Sequence, residues 1–130
     1  MPSSTRTAFH RYDYGLDGQL DRLAKYGKPL WVTERANRHA ADGPRILTPE
    51  AQRAQMTGLV ATCERRADVV RDAWVTGRWS PDPHHTRVLA GDGELTVLGR
   101  HYLSLPHAAR GRVARTRAPP VPAGRFLKTD

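Results

Sequence analysis

The residue best placed to do chemistry ends the run Lys28-Pro29-Leu30-Trp31-Val32-Thr33-Glu34, where an apolar stretch stops on a carboxylate. Leu30, Trp31, Val32 and Thr33 are aliphatic, aromatic or β-branched, and Gly27 and Pro29 punctuate the entry, so the run reads as a short buried parallel strand. In parallel α/β architectures chemistry sits at the carboxyl ends of strands, and a glutamate there is costly to bury unless it is used or paired. Glu34 is therefore the first candidate for a working carboxylate. Trp74 and Trp79 add two flat apolar surfaces across a strand end and the loop after it; the plain alternative for either is core packing.

Other reactive side chains point nowhere in particular. His84, His85, His101 and His107 include no pair at i, i+4 helix spacing with an intervening Glu, so no metal site is expected. The lone Cys63 excludes an internal disulfide and any multi-cysteine metal site, and on an apolar helix face it reads as a small buried hydrophobe. Neither a Gly-x-Gly-x-x-Gly run nor a P-loop spacing is present, and no cofactor is expected.

The elements that must position these residues alternate. Residues 6–12 look like the end of a strand, and Leu16, Leu20, Leu23 and Ala24 recur at helical spacing, predicting a helix over 16–26 ended by Gly27. The strand 29–34 follows, then a loop over 35–47. Thr48-Pro49 is a helix start, with Thr as N-cap and Pro at the first helical position. Met56, Leu59, Val60 and Cys63 make one apolar face of that helix, which reaches about residue 66. A strand over 68–76, a Pro- and His-rich loop over 77–87, a turn at Gly91-Asp92-Gly93 and a helix near 96–105 complete the order. Such a βα repeat implies parallel strands and right-handed crossovers. About three strands are present, whereas a closed (β/α)₈ barrel needs roughly 200–250 residues.

The chain of 130 residues is 38% hydrophobic, enough for one core, and no run approaches a membrane span of about 18 apolar residues. The first residues lack the apolar core of a signal peptide, and no membrane partner is expected. Of the formal charge of +8, residues 106–130 carry +5 and residues 1–105 only +3. The excess belongs to a Pro- and Arg-rich tail over 108–130, read as disordered, rather than to a folded face, so no specific nucleic-acid partner is expected.

At Trp31-Val32-Thr33-Glu34 the sequence reaches a known pattern. The run from Val70 to Trp79, Val-Arg-Asp-Ala-Trp-Val-Thr-Gly-Arg-Trp, and the run from Gly91 to Tyr102, Gly-Asp-Gly-Glu-Leu-Thr-Val-Leu-Gly-Arg-His-Tyr, extend it. Together they resemble the C-terminal part of glycoside hydrolase family 128, the "glycosyl hydrolase catalytic core" proteins, over about residues 9–107. The resemblance implies a (β/α)₈ TIM barrel, of which residues 6–107 are about the last three βα units. It also implies retaining hydrolysis of β-1,3-glucan by two glutamates, in proteins that are often secreted. Glu34 matches the nucleophile, Trp74 an aromatic sugar platform, and His10 and Tyr12 a His-Trp-Tyr run whose middle aromatic is Arg11 here. The chemistry fits: a retaining glycosidase needs two carboxyl groups about 5–5.5 Å apart, and aromatic faces such as Trp74 and Trp79 pack against a sugar's C–H face.

The departures are equally specific. The fourth-strand acid/base has no counterpart, because the chain starts near the sixth strand. Asp72 stands where the family usually has Tyr, and by alternation it shares a side with Trp74, which would put a carboxylate inside the barrel. Arg35 and Val75 stand where Phe is usual. The expected function is therefore glycoside hydrolase-like, with β-glucan as partner; the alternative is a non-catalytic glycan-binding remnant or truncated gene product. Three βα units would also leave open strand edges through which the chain could self-associate.

Overall fold

The structure, a computed structural model, describes residues 5–36 and 45–106. Strands β1 (Thr7–Arg11), β2 (Leu30–Arg35) and β3 (Val69–Trp74) alternate with helices α1 (Leu16–Ala24) and α2 (Pro49–Glu64), and α3 (Val97–Ser104) comes last. The strands form one sheet in the order β1-β2-β3, parallel throughout. Each parallel step is made through a helix, because a hairpin cannot return a chain to the same direction. The chain is thus a mixed α/β structure built on a small parallel sheet. The tail expected to be disordered lies outside the described residues.

Local chemistry accounts for the element ends. Helix α2 begins where Thr48 accepts a bond from the Ala51 amide at 3.1 Å and Pro49 takes the first helical position. Helix α1 stops at Ala24, two residues earlier than its periodicity predicts. There the amides of Tyr26 and Gly27 turn back to Leu23 and Ala24, and Gly27 takes a left-handed φ of 64°. Thr96 caps α3 by accepting from the Gly99 amide at 3.0 Å while its hydroxyl donates to the Arg87 carbonyl at 2.8 Å. A Cβ on Gly99 would stand 2.2 Å from the Val88 carbonyl oxygen, so the helix can lie this close to the 88–96 hairpin only because residue 99 is glycine.

The helices bury one face of the sheet. Leu16 and Leu20 of α1, Leu59 and Cys63 of α2, and Leu30, Val32 and Val69 of the strands form one cluster. Met56 and Val60 of α2 form a second with Leu98 and Leu105. Helix α2 thus serves both, and its buried residues are the Met56, Leu59, Val60, Cys63 face expected from its spacing. Trp74 packs against both clusters. Full burial of each such side chain contributes roughly 1.5–3 kcal/mol.

An ion network ties the lower ends together. Arg66 bonds Asp68 at 2.8 Å and Asp21 of α1 at 2.6 Å, and Arg65 pairs with Asp17. The hydrogen bond from Arg66 holds the Asp68 carboxyl below its ordinary 3.8, and the same bond raises the guanidinium further above its own.

The register holds two irregularities that a simple alternation misses. β2 carries one more residue than either neighbour across its end: Phe9 pairs Val32 but His10 pairs Glu34, and Val32 pairs Asp72 but Arg35 pairs Trp74. On β3, Val70 is the extra residue between Val69, which pairs Leu30, and Arg71, which pairs Trp31. These bulges decide which side each charge faces. Asp72 does share a side with Trp74, but that side is the helix-packed one, opposite the expected barrel interior. There it pairs with Arg35, which is fully buried. The predicted loop at residue 35 therefore begins one residue later, with Arg35 ending the strand.

Candidate functional site

The one residue skipped in the β1–β2 register, Thr33, brings three side chains together. With Thr33 bulged and its hydroxyl donating to the Phe9 carbonyl at 3.1 Å, Glu34 moves level with His10 at the carboxyl ends of two parallel strands. Bulges are used in this way to re-aim a side chain beside a site. The Tyr12 hydroxyl donates to Glu34 Oε2 and lies 3.3 Å from His10 Nδ1. His10 Nδ1 is itself 3.6 Å from the same carboxylate oxygen. The His10 and Tyr12 rings meet edge to face, with centroids 5.9 Å apart. The glutamate side chain is 33% exposed and the histidine 51%, so the carboxylate is oriented by a phenol and an imidazole yet open to a ligand. Asp13, the next residue after Tyr12, has its Oδ1 buried without a partner among the described residues.

Chemically, this is a carboxylate fixed in direction, with one oxygen held by neighbours. It can attack an electrophilic carbon or accept hydrogen bonds from a polyol. No group of three metal-ligating side chains converges among the described residues. Of the histidines considered for metal binding, His101 Nε2 lies 2.7 Å from the Thr57 hydroxyl and the His84 ring is tilted against that of Trp79; His107 lies outside the described residues.

Trp74 and Trp79 have contacts of their own. Trp74 is half-buried in the packed face, its indole N–H donating to the Thr86 carbonyl at 2.8 Å and the Arg35 guanidinium 5.9 Å from its ring. Trp79 belongs to the 77–87 loop, its ring 6.2 Å from that of His84 and tilted by 42°. Asp82 holds this loop, accepting from the Thr86 amide and hydroxyl and from the Arg87 amide at 2.8–3.1 Å. Gln52 of α2 donates to the His84 carbonyl at 2.8 Å, tying the loop to the helix.

Behind Glu34, on the other side of the same strand end, lies the Arg35–Asp72 pair. Tyr102 of α3 sits near it: burial raises its phenol above the ordinary 10.0, while Arg35 and Asp72 act on it in opposite directions. From the sequence alone, Arg35 and Asp72 are two separate departures from the aromatic residues usual at those positions. The available signal was two opposite charges on neighbouring strands; it becomes a pair only with the register known.

The pattern of the "Glycosyl hydrolase catalytic core" family matches residues 3–102. No curated protein sequence matches the chain. Among solved structures it is similar to a family 128, subgroup II, endo-β-1,3-glucanase from Pseudomonas viridiflava. There the identity is 55% and the TM-score 0.76, over 79% of this chain and 40% of that one. A subgroup II endo-β-1,3-glucanase from Sorangium cellulosum matches at 27% identity and TM-score 0.56, over 78% and 41% of the two chains. A subgroup VII oligosaccharide-binding protein from Cryptococcus neoformans matches at 28% identity and TM-score 0.61, over 75% and 39%. The chain therefore spans about two fifths of the length of these structures. With a matched pattern over most of its length and a carboxylate at a parallel strand end, the chain belongs to the glycosyl hydrolase catalytic core family.

Proposed function

We propose that residues 6–107 form part of a (β/α)₈ glycosidase barrel and that Glu34 is the nucleophile of a retaining β-1,3-glucan hydrolase site. The observation that carries this reading is the orientation of Glu34 by Tyr12 and His10 at adjoining strand ends. His10 and Tyr12 line the position a sugar would take, and Trp79 supplies apolar surface to its C–H face. Trp74, read from the sequence as a sugar platform, packs instead against both apolar clusters. The contacts to the Glu34 carboxylate come from a phenol and an imidazole; neither is the second carboxyl group that retention needs. General acid assistance contributes typically about 10²–10⁴-fold, so the chain alone is expected to release no reducing sugar from β-1,3-glucan.

An activated donor needs no general acid. A β-1,3-gluco-oligosaccharide with fluoride at the anomeric carbon and fluorine replacing the adjacent hydroxyl should be attacked by Glu34. The new C–O bond forms as C–F breaks and fluoride leaves. Mass spectrometry should find one glycosyl group on the peptide holding Glu34 and none in Glu34→Gln. A label on another residue, or none, would remove Glu34 from the nucleophile's role.

A second reading is favoured by the subgroup VII relative, an oligosaccharide-binding protein. On it the chain binds β-1,3-gluco-oligosaccharides without turning them over. Calorimetric binding that survives Glu34→Gln but falls with Trp79→Ala, together with no fluoride labelling, would select it.

A further inference from the structure

The Glu34 carboxylate is held from the neighbouring strand by Tyr12, yet Tyr12 lies one residue beyond the last paired position of β1. One residue ties both ends of the span that carries it. The Arg11 carbonyl accepts from the Ala36 amide at 3.3 Å, fastening the entry of the span to the chain two residues past Glu34. The Arg11 guanidinium reaches forward over the turn, where Nε, at 2.8 Å, and Nη2 both donate to the Tyr14 carbonyl. Beyond it the Gly15 carbonyl accepts from the Gln19 amide at 3.1 Å and α1 begins. Gly15 has a left-handed φ of 77°, and a Cβ there would stand 3.1 Å from Arg11 Nη2, so glycine both makes the turn and admits the guanidinium. Phe9 packs against the helix-side cluster, so alternation puts Arg11 on that side and His10 on the other. Arg11 therefore does not face a sugar beside Glu34.

We propose that Arg11 is a positioning residue for the Glu34 site: by gripping the Tyr14 carbonyl it fixes the turn that carries Tyr12, and so holds the phenol on the carboxylate. The inference rests on the reading of Glu34 as nucleophile. The grip calls for arginine. Its planar fork can set two N–H groups on one acceptor, whereas the lysine ammonium is a compact point charge on a flexible stem. A hydrogen bond from a charged donor is also roughly twice as strong as one between neutral groups. Tryptophan, which the resemblance leads one to expect at this position, has a single N–H and could not grip in this way. In the run His10-Arg11-Tyr12 an aromatic surface is thus exchanged for a clamp on the neighbouring tyrosine.

The test uses the full chain and follows the rate at which the fluorinated glycosyl fluoride labels Glu34 as donor concentration rises. Arg11→Lys keeps the charge and loses the fork. It should slow the limiting rate about tenfold or more, since a misplacement of about 1 Å can cost about 10²-fold. The half-saturating concentration should stay within about twofold. Gly15→Ala, whose added carbon crowds Nη2, should act in the same direction and carries the test if Arg11→Lys loses its circular dichroism. In a Tyr12→Phe background Arg11→Lys should change the rate less than about twofold, because its effect passes through the phenol. A second readout needs no turnover. With 3-fluorotyrosine in place of tyrosine, the fluorine resonance assigned to position 12 by Tyr12→Phe should move in Arg11→Lys as it does in Glu34→Gln. An unmoved resonance, an unchanged labelling rate, a loss that adds in full to that of Tyr12→Phe, or unfolding of both variants would overturn the proposal. If the unsubstituted chain takes no label, the nucleophile reading falls and the fluorine resonance alone decides the clamp.

Discussion

Glu34 and Arg35 are consecutive residues with opposite circumstances. The glutamate side chain is one third exposed and held by two polar neighbours, whereas the arginine is fully buried and paired with Asp72. A charge facing water keeps its solvation and remains free to meet a ligand. A charge sealed against helices has to be matched within the protein, and removing its partner strands it. The pair behind the strand end therefore belongs to stability and the trio in front of it to recognition or chemistry. A bulge one residue long separates the two roles.

The sharpest way to break this contrast is to remove one partner from the buried side. Asp72→Ala should cost about 3–5 kcal/mol, because it leaves a desolvated guanidinium alone. Urea denaturation reads the loss, and a cost below about 1 kcal/mol would mean the pair is wet. Replacing both residues, Arg35→Phe with Asp72→Tyr, should recover most of it, since an apolar pair of similar volume can equal a buried ion pair. Next in size is Gly99→Ala, where the added carbon meets the Val88 carbonyl oxygen at 2.2 Å; overpacking of this kind costs about 1–3 kcal/mol. Thr48→Ala removes the α2 cap and should cost about 1 kcal/mol, with Thr48→Asp restoring it.

Acidification sharpens the comparison without mutation. The native Asp68 carboxyl lies below its ordinary 3.8 because Arg66 bonds its ionised form. Its contribution is complete above that ordinary value and is lost as pH falls through the lowered native one. Stability measured against pH should thus slope downward on the acid side, and Asp68→Asn should flatten that slope. The smallest effect belongs to the open side: Glu34→Gln should leave stability within about 0.5 kcal/mol while abolishing the glycosyl label. A large loss on this substitution would mean the glutamate is structural.

What the amino-acid sequence discloses divides along the same line. Thr48-Pro49 and the spacing of Met56, Leu59, Val60 and Cys63 announce α2 because capping and helical periodicity are local. Glu34 is legible as a strand-end carboxylate for the same reason. The family is legible too, through the Trp-Val-Thr-Glu run and the two later segments. Asp72 shows where local reasoning stops. Alternation correctly puts it on the side of Trp74, but nothing local says that this side faces the helices, or that Arg35 on another strand neutralises it. The level placement of His10 and Glu34 is hidden likewise, since it depends on one bulged residue.

Trp74 carries one more consequence. Its ring belongs to both apolar clusters, and its N–H is bonded to Thr86 in the loop that Asp82 and Gln52 also hold. Opening either cluster exposes the same indole and frees the same loop. The α1 side and the α3 side therefore should not breathe separately: their slowest amide protons should exchange with solvent at one common free energy, as a single cooperative unit. Trp74→Leu, which keeps apolar volume but cannot span both clusters, should split that unit into two.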